Sequence, residues 1–289
     1  FAGGLTLGSS GEVDVTGSTL SAGQVLDLSS GTFISDNSSL KLQSATTLSS
    51  NDQVSGQDPV TFADVHFNGN VLTLGYASTH LKVNDPLALT GIALETGAGS
   101  LTLSGALALT DNASLNSSGG TITLVSGASA PSGTMISLPG TTLVLENALS
   151  LTGATLKTNG GTTFTTNANA LTLSGSILEI EGVQDLSEVF MDNSSTLSLA
   201  ADSTINGNST LSVGILELAD NALTLDDQMA GMSINQPVTL DVTGEKIVTG
   251  NAALTLNGGI SATAGILSST GGTLTLPAGA NIVSGAKFI

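Results

Sequence analysis

Apolar and polar positions alternate along this chain in short, repeated bursts. The triplet Leu-Thr-Leu occurs seven times, starting at Leu5, Leu72, Leu101, Leu171, Leu223, Leu254 and Leu274. Variants in the same frame lie between them, among them Val13-Asp-Val15, Leu26-Asp-Leu28, Leu40-Lys-Leu42, Leu178-Glu-Ile180 and Leu216-Glu-Leu218. Apolar, polar, apolar is a period of two, which puts both aliphatic side chains on one side of a short strand. The residues between bursts are mostly Gly, Ser, Asn and Asp, which turn a chain. One such strand buries too little to be stable alone, so the pattern predicts many equivalent strands that stack.

The spacing predicts how they stack. Leu5 to Leu26, Leu101 to Ile122 and Ile122 to Leu143 are each 21 residues, Leu156 to Leu178 is 22, and Leu254 to Leu274 is 20. Two further aliphatic clusters fall within each such interval. A drifting period near 21 divided into three describes coils of strand and corner repeated three times. The expected fold is therefore all-β, a three-sided, right-handed parallel β-helix. With about 4.8 Å per stacked coil, 13 or 14 coils would form a rod roughly 60–70 Å long. Longer echoes agree with this reading. Leu87-Ala-Leu-Thr-Gly91 resembles Leu149-Ser-Leu-Thr-Gly153, and Leu101-Thr-Leu-Ser-Gly105 returns as Leu171-Thr-Leu-Ser-Gly175. The same texture runs through residues 1–289, which are expected to form a single elongated solenoid.

Three stretches break the rhythm. Asn51–Pro59 is polar and reads as a protruding loop, and Ala128–Gly133, with Pro131, reads as a shorter one. Gly182–Asn193 carries Val183, Leu186, Val189 and Phe190 at three- and four-residue spacing, which predicts either a short amphipathic helix or an irregular bulge.

Composition narrows the core and the partners. Hydrophobic residues make up 40% of the 289, aromatics only 3%, and Trp and Cys are absent, so the interior must be built from Leu, Val, Ile and Ala. Acidic residues number 23 against five Lys and no Arg, giving a net charge of −18. Such a surface repels nucleic acid and lacks the guanidinium fork that grips phosphate. No apolar run is long enough for a membrane-spanning helix. The chain opens at Phe1 rather than Met, which reads as a processed product or a piece of something longer.

Catalytic equipment is sparse. The two imidazoles, His66 and His80, are 14 residues apart. Alternation puts Asp64 and His66 on one strand face as a conceivable acid–base pair. The acidic pairs Glu12/Asp14, Glu179/Glu181 and Asp226/Asp227 could act as carboxylate pairs. The first two, each projecting two carboxylates from one face, are calcium candidates. No Asp-rich calcium loop accompanies them. The sequons at Asn37, Asn112, Asn116, Asn193 and Asn208 are glycan acceptors only in a host that glycosylates.

Drifting Leu-x-Leu coils, Ser/Thr/Gly/Asn corners, acidity and the absence of Cys and Arg resemble bacterial and archaeal surface β-solenoids. These include autotransporter and filamentous-haemagglutinin-type adhesin passengers and the subunits of extracellular fibres and sheaths. The resemblance implies an exported, non-enzymatic structural role at the cell surface. Self-association head to tail would then use open ends formed by Phe1, Leu5, Leu7, Leu274, Leu276, Phe288 and Ile289. The alternative is an adhesin segment binding a glycan or cell-surface target, and a more remote one a polysaccharide-active enzyme.

Overall fold

The computed structural model describes residues 4–35, 37–49, 59–283 and 285–289. Among them every regular element is a β-strand, and every registered pairing is parallel. The fold is a parallel β-solenoid. The sequence intervals are the registers themselves. Leu5 pairs with Leu26, Leu101 with Ile122, Ile122 with Leu143, Leu156 with Leu178 and Leu254 with Leu274. The expected loop at 51–59 lies outside the described residues except for Pro59.

The chain divides into two compact units, Phe1–Leu149 with Thr165–Asn169, and Ser150–Phe164 with Ala170–Ile289. In the first unit, one ladder runs through Leu5–Thr6, Thr19–Asp27, Ser39–Ser49, Leu72–Leu74, Ala93–Gly97, Ser114–Ser117 and Met135–Ser137. A second runs through Val60–Phe62, His80–Val83, Ser100–Leu103, Thr121–Leu124 and Thr142–Leu145. A third begins at Leu87–Thr90 and continues through Leu107–Thr110 and Ala128–Ala130. The second unit is built alike. Its main ladder includes Ile177–Asp185, Thr196–Asn206, Ala222–Leu225 and Lys246–Val248. A second ladder starts at Thr210–Val213, and a third runs through Val238–Leu240, Ile260–Ala262 and Ala280–Ile282.

The cause of this arrangement is the phase of the triplets. In Leu101-Thr-Leu103 both leucines are fully buried and the threonine is half-buried. Stacking in register places each leucine on a leucine, isoleucine or valine of the adjacent turns, as in Leu81, Leu101, Ile122 and Leu143. Each such side chain contributes about 2 kcal/mol of transfer free energy. Small aliphatic groups fill the interior without the bulk of aromatic rings, consistent with the 3% aromatic content.

The two units share an irregular feature that the sequence pattern does not announce. In each, a nine-residue strand pairs with an eleven-residue strand, Thr19–Asp27 with Ser39–Ser49 and Ile177–Asp185 with Thr196–Asn206. The register slips at the same place in both. Ala22 pairs with Leu42 and then Gln24 with Thr46, while Ile180 pairs with Leu199 and then Gly182 with Ser203. Gln24 and Gly182 both take positive φ, 65° and 73°, so the strand rounds a corner there without leaving the ladder. On the next turn the long strand splits into two short ones, Asp64–His66 and Leu72–Leu74 in the first unit, Ile215–Glu217 and Ala222–Leu225 in the second. An asparagine amide closes each split, Asn68 donating to the Leu42 carbonyl at 3.0 Å and Asn221 to that of Leu199 at 3.2 Å.

One turn later the copies again agree. Asn84 and Asp85 donate to the carbonyls of Phe62 and Ala63, and Asn235 and Gln236 to those of Val213 and Gly214. Pro86 and Pro237 then follow and end the run, because proline has no N–H to give. Gly105 and Gly258 cross above these prolines. A Cβ at either would overlap the Asp85–Pro86 or the Gln236–Pro237 peptide, so close approach requires glycine at both.

Two expectations are corrected. Residues 182–193 form neither a helix nor an irregular loop. They continue strand Ile177–Asp185, turn, and form strand Val189–Met191, which pairs with Leu171–Ser174. The three- and four-residue spacing arises because Leu186 and Val189, both buried, flank the turn while Val183 and Phe190 face solvent. In the stretch 128–133, Ala128–Ala130 is a strand in register with Leu107 and Ala108, and only Pro131–Gly133 forms the turn.

Replacing Leu101 by Ala is expected to destabilise the first unit by about 2–5 kcal/mol. Gly105→Ala should cost about 1–3 kcal/mol through the clash with the Asp85–Pro86 peptide. Urea unfolding followed by circular dichroism reads both, and a neutral Gly105→Ala would contradict the packing described.

Candidate functional site

The pair predicted by alternation forms. His66 Nε2 lies 3.0 Å from Asp64 Oδ2 on strand Asp64–His66, whose middle residue, Val65, points into the core. The other carboxylate oxygen, Asp64 Oδ1, is buried without a hydrogen-bond partner. Both residues line a surface cleft of about 330 Å³ in the first unit. One wall is Asp64 to Gly69 and the other is formed by Pro86, Ala88, Thr90 and Ile92. His80 is elsewhere, on the second ladder, with its Nε2 2.9 Å from Thr102 Oγ1, so the two imidazoles do not converge.

The equivalent split strand of the second unit carries Ile215 and Glu217 where the first carries Asp64 and His66. The backbone geometry therefore does not require an imidazole beside a carboxylate at this position. The pair is chemistry added to a scaffold that also forms without it.

The carboxylate pairs read from sequence have different surroundings. Glu12 and Asp14 are both exposed on strand Glu12–Asp14. The Asp14 carboxyl is held below its ordinary range by hydrogen bonding from Thr16, whose backbone N–H donates to Oδ1 at 2.8 Å. Glu179 is spoken for by Lys157, in register on the adjacent strand with Nζ 3.0 Å from Oε1, while Glu181 is exposed. Asp226 accepts from the Gln228 N–H and Asp227 from the Asn251 N–H, both at 2.8 Å, so each caps a turn. Among the described residues no group of three or more His, Asp or Glu side chains gathers in a way that could hold a metal ion.

Of the aliphatic residues expected at open ends, Phe1 lies outside the described residues. Leu7 is buried, Leu5, Leu274, Leu276 and Phe288 are half-buried, and Ile289 is 73% exposed. The inward residues that stack on several of them are fully covered, including Leu26, Leu254 and Leu267.

Sequence reasoning missed Asp192. Its carboxylate accepts from the Ser174 hydroxyl at 2.6 Å, from the hydroxyls of Ser194 and Ser195 at 2.7 and 2.8 Å, and from the N–H groups of Ser194 and Gly175 at 3.0 and 3.2 Å. This set ties one turn to the next across a corner. The Ser-rich run Asn193-Ser194-Ser195 after an Asp was its only signal. Hydrogen bonding, that from Ser174 foremost, holds the Asp192 carboxyl far below the usual carboxylate range. A depressed folded-state pKa means stability that is fully present above the unfolded value, near 3.9, and lost progressively as pH falls below it.

Asp192→Asn should thus cost about 1.5–3 kcal/mol at neutral pH. The gap between variant and parent should narrow as the pH is lowered from about 5 toward 2. Urea titrations across that range check it, and a gap independent of pH would refute the assignment.

Family models, curated proteins and solved structures gave no match to this chain.

Proposed function

We propose that this protein is a non-enzymatic structural β-solenoid, a subunit of an extracellular fibre or sheath at the cell surface. The observation that carries this reading is where the recurring polar side chains are engaged. Several bond to side chains on neighbouring turns, some of them register mates, rather than converging on a reaction centre. Asn257 Nδ2 donates to Asn235 Oδ1 one turn back at 2.8 Å, and Asn235 Nδ2 donates at 2.7 Å to Asn193 Oδ1, which lies two turns back, past Gly214. Thr110 donates to its register mate Thr90 and Asn116 to Glu95, and Thr141, in a turn, donates to Ser117 of the turn before. Such ladders add little per bond, about 0.5–1.5 kcal/mol, but they repeat and they specify register.

In this reading assembly runs through the end turns of the solenoid, where a further parallel turn from a second copy would cover Leu274, Leu276, Phe288 and Ile289. The charge of −18 favours solubility of the free subunit and makes assembly depend on ionic strength.

Electron microscopy of negatively stained protein over a range of concentrations tests the reading. Filaments that lengthen with concentration and with added salt are expected, and Ile289→Asp should suppress them. Particles that remain single at every concentration, with or without calcium, would overturn it and favour an adhesive segment.

A further inference from the structure

We infer that the Asp64–His66 cleft is a docking site for an extended, basic peptide segment of a partner protein, which enters as an added strand. The inference rests on a break in the sheet. Strand Asp64–His66 pairs on one edge with Ser39–Ser49 and, among the described strands, with nothing on the other. Strand Leu87–Thr90 opens its ladder and pairs only with the following turn, Leu107–Thr110. The cleft of about 330 Å³ lies between these two edges.

Parity of the main chain shows which groups face it. The N–H groups of Leu87 and Gly91 donate forward, to the carbonyls of Ala106 and Thr110. In a parallel strand successive residues direct their backbone groups to opposite neighbours, so Ala88 and Thr90 direct theirs backward. Those two residues, with Pro86 and Ile92, form the cleft wall. The intramolecular ladder stops here because the bonds through Asn84 and Asp85 are followed by Pro86, which cannot donate.

A wall of alternating N–H and C=O groups is satisfied by a ligand with the same periodicity, which is another polypeptide in extended form. The side chains then select among peptides. Asp64 places a carboxylate on the rim, paired with the His66 imidazole, in a chain of net charge −18. A lysine or arginine in the entering segment meets complementary charge, and an acidic one is repelled. The second unit has the same split strand and the same proline, Pro237, with Ile215 and an exposed Glu217 where the first has the dyad.

The test uses the full chain and a labelled acetyl-Val-Thr-Lys-Thr-Val-amide peptide. Saturable binding with Kd of about 1 mM or tighter is expected by fluorescence anisotropy. N-methylation of the peptide's central amides, or a Lys-to-Glu exchange in the peptide, should weaken it about tenfold or more. Ala88→Pro in the protein removes a cleft-facing donor while sparing the forward ladder and should do the same. Should Ala88→Pro fail to fold, hydrogen exchange on the parent chain decides, since the Ala88 and Thr90 amides should become protected when peptide is added. No saturable binding, equal binding of the N-methylated peptide, or unchanged exchange at Ala88 and Thr90 would overturn the inference.

Discussion

The structure depends on one constraint, that the aliphatic rung of every turn must arrive in phase with the rung before it. A side-chain period of two leaves no tolerance, because a one-residue slip would carry both leucines of a triplet to the solvent face. The intervals of 20 to 22 residues are therefore held by whatever the corners must do to preserve phase. Where a turn is longer, the excess is absorbed at defined places, as between Leu42 and Thr46 opposite Ala22 and Gln24. The polar decoration follows the same rule. Residues in equivalent register, such as Asn235 and Asn257, meet because the rungs beneath them meet.

The long bent strands, their split on the next turn, the closing asparagines and the proline that stops the ladder recur in both units, though the sequences differ. Asn68 and Gly69 take φ of 50° and 76°, and Ala219 and Asp220, at the matching positions, take 50° and 69°. A non-glycine pair accepts left-handed conformations here because the surrounding ladders fix both ends of the turn. With the backbone accounted for twice, the differences between copies become informative. The first unit has Asp64 and His66 where the second has Ile215 and Glu217.

Much of the fold was legible because its signal is periodic. The interval from Leu101 to Ile122 to Leu143 could be read directly as register, and the alternation in Asp64-Val65-His66 placed the two polar groups on one face. What could not be read depends on contacts across turns. Residues 43–45 of Ser39–Ser49, Gln-Ser-Ala, look like a turn and take no register partner, yet the strand runs on because Leu42 and Thr46 on either side of them pair with Ala22 and Gln24. Residues 182–193 carry a helical spacing, yet Gly182 at φ 73° and an available edge at Leu171–Ser174 decide for strands. Two of the five hydrogen bonds of Asp192 reach back to Ser174 and Gly175, a distance in sequence at which no local motif operates. The cleft beside His66 likewise takes its walls from successive turns, Asp64 to Gly69 and Pro86 to Ile92, which lie apart in sequence.

Stacking in this register is tested most directly by covalent capture, which the absence of native Cys makes clean. Thr102 and Thr123 are register mates on adjacent strands. Parallel neighbours lie about 4.8 Å apart, within the Cα separation a disulfide spans. The double variant Thr102→Cys/Thr123→Cys should form an intramolecular disulfide nearly completely under mild oxidation, and Thr102→Cys/Thr121→Cys, two residues out of register, should not. Equal yields for the two pairs, or no bond in the first, would contradict the stacked parallel turns on which the account stands.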